Sequence, residues 1–99
     1  MEIKKQVSGK TLILSPEGRM DSVNSTEFAE YLDKNFTDEY DTLVIDFAEV
    51  DFISSKALRV LVTIYKALEG RKMIFRNVNS SVYEILRITG MLKTFTIEQ

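Results

Sequence analysis

The chain contains no cysteine and no histidine. The first absence removes disulfides, thiolate nucleophiles and every cysteine-based zinc or iron–sulfur site. The second removes the commonest general base, the commonest transition-metal ligand and any phosphohistidine relay. Ser–His and Cys–His nucleophile pairs are therefore excluded, which leaves only carboxylate or lysine chemistry to an enzyme. Long apolar runs are missing too: the longest aliphatic stretches are three residues, as in Leu12-Ile13-Leu14 and Val60-Leu61-Val62, against the ~18 that a membrane-spanning helix needs. No signal-peptide core opens the chain, and without cysteine or a glycine at position 2 there is no lipidation signal. The expected location is the cytoplasm, with no direct insertion into a membrane.

Neither charge sign dominates. Lys and Arg number 13 against 15 Asp and Glu, a formal net charge of −2. A nucleic-acid binder would carry a basic footprint, so nucleic acid is not an expected partner. A hydrophobic share of 44% with 28% charged residues suits a chain that buries a core. Ninety-nine residues are enough for one domain. Only Pro16 and four glycines punctuate the chain, with no repeat and no linker-like tract.

Residues 2–7 alternate around Ile3 and Val7, and Ser8-Gly9-Lys10 turns the chain into Thr11–Ser15, a hairpin that ends at Pro16-Glu17-Gly18. Asn24 or Ser25 caps a helix to about Phe36, with Glu27 in its first turn and Phe28, Leu32 and Phe36 on one face. Thr42–Phe47 is apolar enough to be a strand covered on both faces. A second helix opens near Ser54 or Ser55 and runs to Glu69, burying Leu58, Leu61, Ile64 or Tyr65, and Leu68. Lys72–Phe75 is a strand. Ser80 or Ser81 caps a third helix carrying Val82, Ile85, Leu86 and Ile88, and Thr94–Ile97 closes the chain as an edge strand. The order β-β-α-β-α-β-α-β predicts an α/β domain with a mixed sheet flanked by helices and one antiparallel pair.

The informative stretch is Asp46 to Arg59, where a buried strand leads through a short acidic loop to two serines at the start of a helix. Ligands of open α/β sheets dock at the carboxyl ends of the strands, and a helix N-terminus favours anions. A phosphate on Ser54 or Ser55 would be tolerated there and would add about −1.5 to −2 charges. The plainer alternative makes one serine an N-cap and nothing more, a pattern that Ser80-Ser81 repeats. Asp46, Glu49 and Asp51 crowd only the first pair, and as a loop without glycine or a second ligand cluster they read as solvated charge rather than a Mg²⁺ site. Adjacent Ser55 and Lys56 do not face each other on a helix, so they are no nucleophile–base pair. Asp21, between a strand and a helix, caps or supports its loop, or faces a partner if that loop lies beside Ser54-Ser55.

In this order the segments resemble the STAS domain family, typified by bacterial anti-sigma factor antagonists, over residues 1–99. Gly18-Arg19-Met20-Asp21 is similar to the family's Gly-x-hydrophobic-Asp turn. Leu43–Phe47 followed by Val50–Leu61 resembles its signature strand–loop–helix. Asn77-Val78, Val82, Leu86, Thr89-Gly90 and Phe95 resemble its closing helix and strand. The resemblance implies a non-enzymatic binding protein without a cofactor or metal. It implies phosphorylation of Ser55, with Ser54 as the alternative acceptor, by an anti-sigma factor that is a serine kinase, and resetting by a serine phosphatase. The unmodified form would bind the kinase and free a sigma factor for transcription. Asp21, Asp51, Ser54, Ser55, Lys56 and Arg59 would surround the contact. Many antagonists carry Asp before the acceptor, where this chain has Ser54. Lys56 and Ala57 replace the small residues, including a glycine, that usually follow it. The alternative within the same fold is a constitutive adaptor subunit of a transport or signalling complex, with the serines serving only as a cap.

Overall fold

The computed structural model describes residues 1–98, which fold as one α/β unit. β1 (Glu2–Ser8) and β2 (Thr11–Met20) form the expected hairpin, in register from Glu2 opposite Glu17 to Ser8 opposite Thr11. α1 (Ser22–Asn35), β3 (Thr42–Asp46), β4 (Val50–Ile53), α2 (Ser55–Ala67), β5 (Lys72–Arg76) and α3 (Ser80–Ile88) follow. A 3₁₀ turn at Met91–Lys93 then leads into β6 (Thr96–Glu98). The main sheet runs β1-β2-β3-β5-β6, and every pair after the hairpin is parallel. β1 is an edge strand, with Lys4 and Lys5 exposed on it.

β2 is longer than its sequence suggests. Thr11–Leu14 pair with β3, and Gly18–Met20 pair with β4 across a bulge between Gly18 and Arg19. Gly18 adopts φ +96°, a conformation that glycine enters without steric cost. Pro16 lies where the β3 ladder has ended and the β4 ladder has not begun, so its missing N–H interrupts neither. Two expectations are corrected here. The strand does not stop at Pro16–Gly18, and the acidic loop before the serines contains a further strand, Val50–Ile53.

Leu12 and Leu14 of β2, Leu43 and Ile45 of β3, and Met73 and Phe75 of β5 point to one face and join the buried residues of all three helices in a single core. Phe75 sits at its centre, with ring centroids 4.8 Å from Phe47 and 4.5 Å from Phe95. On the other face Ile13 and Ile74 are half-buried, and Val44, opposite both in register, is closed off between them. The helical faces follow the predicted spacing with two exceptions. Ile88 is exposed, and Tyr65 is only partly covered, its ring edge-on to Phe95 at 5.8 Å. Ile88 is the last residue of α3, past the turn at which the helix touches the core.

Candidate functional site

Three loop-to-helix junctions are tied together by polar groups. Asp21 caps α1: its Oδ1 accepts from the Asn24 N–H at 2.9 Å, and Asn24 Nδ2 donates to the Arg19 carbonyl at 2.7 Å. Asn24 and Ser25 are therefore not the cap. Because the helix starts at Ser22, Glu27 falls beyond its first turn. One residue before Asp21, the Met20 carbonyl accepts from the Ser54 N–H at 3.0 Å. The Asp21 turn thus lies directly beside the serine pair, and Asp21 is both a cap and a neighbour of the site.

At α2 the two serines have different roles. Ser54 takes extended backbone angles, φ −82° and ψ 166°, and its Oγ accepts from the Ala57 N–H at 3.1 Å. Ser55 is the first helical residue. It is exposed, and among the described residues its hydroxyl has no hydrogen-bond partner. Nor do the backbone N–H groups of Ser55 and Lys56 find an acceptor there, which leaves two donors of the helix N-terminus open beside that hydroxyl. Sequence alone left the cap between Ser54 and Ser55. The geometry assigns it to Ser54.

At α3 neither serine is the cap. Asn79 Oδ1 accepts from the Val82 N–H at 2.9 Å while its Nδ2 donates to the Val50 carbonyl at 2.8 Å. Asn and Ser are about equal as caps, and the added bond to β4 is available only to Asn79. The α2 and α3 serine pairs, alike in sequence, are thus unlike in structure.

Lys56 and Arg59 are exposed on α2, and Asp51 is exposed on β4. Arg59 lines a groove with Ser55, and a second groove with Lys56 on the α1 side. Asp46 is drawn away from the acidic group: its Oδ1 accepts from the Ala48 N–H at 2.9 Å and from Asn77 Nδ2 at 3.1 Å. Among the described residues no three potential metal ligands cluster. Three site features were absent from the sequence reading. Arg19 stacks its guanidinium over Phe52 at 4.2 Å to the ring centroid, a contact created by the β2–β4 pairing. Thr89 and Met91 come from more than thirty residues downstream to complete the groove beside Ser55. Lys66 continues the outward face of α2, legible in the helical period had that face been followed past Arg59.

No helix of the described residues is long and apolar enough to cross a membrane. The family model described as STAS domain matches residues 2–99. No curated protein sequence matches the chain. Among solved structures, the chain is similar to an anti-sigma factor antagonist from Mycobacterium paratuberculosis, with TM-score 0.88 and 21% identity, covering 98% of this chain and 84% of that one. It is similar to the phosphorylated form of the Bacillus cell fate determinant SpoIIAA, with TM-score 0.74 and 14% identity over 99% and 91% of the two chains. It is also similar to part of the murine anion transporter Slc26a9, with TM-score 0.77 and 20% identity, covering 89% of this chain but 15% of the transporter. At these identities the likeness speaks for the fold.

Proposed function

This chain belongs to the STAS domain family, and we propose that it is an anti-sigma factor antagonist, a single cytoplasmic domain spanning residues 1–99 that changes partner when Ser55 is phosphorylated. The observation that carries the reading is the division of labour between the serines. Ser54 spends its hydroxyl on the cap, whereas Ser55 presents a free hydroxyl to solvent at the mouth of the helix. The likeness to structures of anti-sigma factor antagonists, one of them phosphorylated, supports it.

The physics of release is local. A phosphate on Ser55 sits at the positive end of α2, where each favourable charge–dipole contact contributes about 0.3–1 kcal/mol, and the open N–H groups of Ser55 and Lys56 are its nearest donors. The domain therefore accepts the modification without refolding. A partner fitted to the neutral hydroxyl meets a bulky group of about −1.5 to −2 charges instead, and like charges set against each other at an interface cost several kcal/mol. Each ~1.4 kcal/mol of that cost weakens the partner's binding about tenfold. The partner is an anti-sigma factor with serine kinase activity, and a serine phosphatase restores the binding form. Asp21, Asp51, Lys56 and Arg59 frame the contact. The chain itself is a binding protein, with no catalytic role and no cofactor.

The test is affinity capture from the native cell lysate, comparing wild-type and Ser55→Asp baits by mass spectrometry. The expected result is an ATP-binding serine kinase held by wild type and lost by Ser55→Asp. The likeness to part of a transporter favours one competing reading, a constitutive adaptor. Equal recovery of the same non-kinase partner by both baits would establish that reading and reduce Ser55 to an ordinary first-turn residue.

A further inference from the structure

The charged residues of α2 are all positive: Lys56, Arg59 and Lys66, with no acid anywhere in Ser55–Ala67. In a chain of net charge −2 this is a local excess. All three are exposed, and none has a salt bridge or side-chain hydrogen bond among the described residues. Lys4, Arg76 and Arg87 each pair with a carboxylate, and Arg71 donates to backbone carbonyls. Lys10, Lys34, Lys72 and Lys93 are exposed without a partner among the described residues too, but α2 alone among the helices gathers its cations with no acid beside them. Lys56, Arg59 and Lys66 face outward with their charge unmatched.

Ser55, Arg59 and Lys66 stand at i, i+4 and i+11, a spacing that keeps them on one stripe of the helix. Ser55 and Arg59 edge a groove of about 450 Å³ between α2 and the segment after α3. Leu58, Val62 and Met91 make its floor apolar, and Thr89 stands on the opposite rim. Beside Thr89, Ile88 is left 66% exposed. An apolar trough running along a helix, with unmatched positive charge on one rim, has the complement required for helix-in-groove recognition.

We infer that this groove seats an acidic amphipathic helix of the partner protein, its apolar side on Leu58, Val62 and Met91 and its carboxylates along Arg59 and Lys66. The inference rests on the partner-switching reading and gives that partner a chemistry. It also gives the phosphate a second action. Ser55 is at the end of the same rim, about 6 Å along the axis from Arg59, and i,i+4 partners on a helix meet. A phosphoserine there takes the Arg59 guanidinium in a charge-assisted bond, so the partner loses a cation and gains a repulsion together. Lys66 continues the stripe beyond the residues that line the groove; about 16 Å along the axis from Ser55 and beyond a screening length of ~8–10 Å, it reports on the docked helix apart from the phosphate. An anionic bilayer is the less suited occupant, because Leu58, Val62 and Met91 line a recess between two segments rather than a projecting apolar face.

The experiment is an NMR titration of the isotope-labelled full chain with two synthetic helical peptides sharing one leucine face, flanked by glutamates in one and lysines in the other. The expected result is saturable shifts in the amides of 55–67 and 88–92 with the acidic peptide and none with the basic one. Lys66→Glu and Arg59→Glu should each weaken that binding roughly tenfold, equivalent to the ~1.4 kcal/mol of a decade in affinity. Lys66→Gln, which removes the charge without reversing it, guards against a folding defect. Binding of both peptides alike, shifts on another face, indifference to both Lys66 variants, or binding to phosphatidylglycerol vesicles in place of the peptide would each overturn the inference. The arms separate cleanly. A switch at Ser55 with no effect of Lys66 sinks only the groove, and an acidic helix in the groove with no switch at Ser55 sinks only the phosphorylation reading.

Discussion

Replacing each serine of the pair in turn gives two very different expectations. Ser54→Ala removes the acceptor that satisfies the Ala57 N–H at 3.1 Å. Ala57 is fully buried, so water does not take over. Loss of an N-cap costs about 0.5–2 kcal/mol, and a buried donor left unpaired costs about 1–3 kcal/mol. The overlap places the variant about 1–2 kcal/mol below wild type. For a domain of this length each kcal/mol moves Tm by about 4–8 °C, so the fall should be at least ~4 °C. Ser55→Ala removes an exposed hydroxyl that bonds nothing and should stay within about ±0.5 kcal/mol. Ser54→Asp keeps an acceptor at the helix mouth and should hold near-wild-type stability. The chain has no tryptophan, so urea unfolding is best followed by circular dichroism at the helical band. If Ser55→Ala costs as much as Ser54→Ala, or if Ser54→Ala is neutral, the division between cap and free hydroxyl is wrong.

Two further expectations test the core and the surface. Phe75→Ala opens a cavity between Phe47 and Phe95 and should cost about 3–5 kcal/mol, visible as a large fall in the urea midpoint; a change below about 1 kcal/mol would deny Phe75 its central place. At Glu84 the hydrogen bonds from Arg87 hold the carboxyl below the usual carboxylate range. A carboxyl with its pKa lowered by folding adds stability above its unfolded value, about 4.3, and loses it as pH falls through the folded one. Arg87→Ala should therefore raise the Glu84 midpoint in a carbon-13 NMR titration and remove that small acid-dependent increment; an unmoved midpoint would mean that the pair does not persist in solution.

What the sequence disclosed and what it hid have physical causes. Leu43-Val44-Ile45 reads as a central strand because apolar residues on both faces survive in any context that covers them. The inward stripe of α2 is legible because Leu58, Leu61, Ile64 and Leu68 keep the helical period. β4 was hidden. Val50-Asp51-Phe52-Ile53 is short and carries an acid, and its pairing is with the far end of a strand that Pro16 and Gly18, read locally, bring to a close. That one omission had consequences elsewhere. Without β4 there is no Val50 carbonyl to recruit Asn79, so the α3 cap falls to the serines by default. Without it Arg19 has no Phe52 to lie over. The site residues Ser54 and Ser55 were in view throughout, but the choice between them depended on a hydrogen bond at 3.1 Å that no spacing encodes.

The free edge of β1 bears on how copies of this protein avoid each other. An exposed strand edge templates the addition of another strand, and the same edge on a second molecule is its readiest complement. Lys4 and Lys5 sit at the middle of Glu2–Ser8. An antiparallel two-fold pairing centred on Lys5 sets that lysine against its own copy, and one centred a half-step earlier sets Lys4 against Lys5. Like charges placed directly opposite across strands are destabilising, so the most extensive register and one of the two next to it are repulsive. Glu17 draws Lys4 toward it at 3.2 Å without neutralising Lys5. The lysine pair therefore acts as a gatekeeper against fibrillar stacking, and exchanging both for threonine would turn the hairpin's outer strand into a site for aggregation.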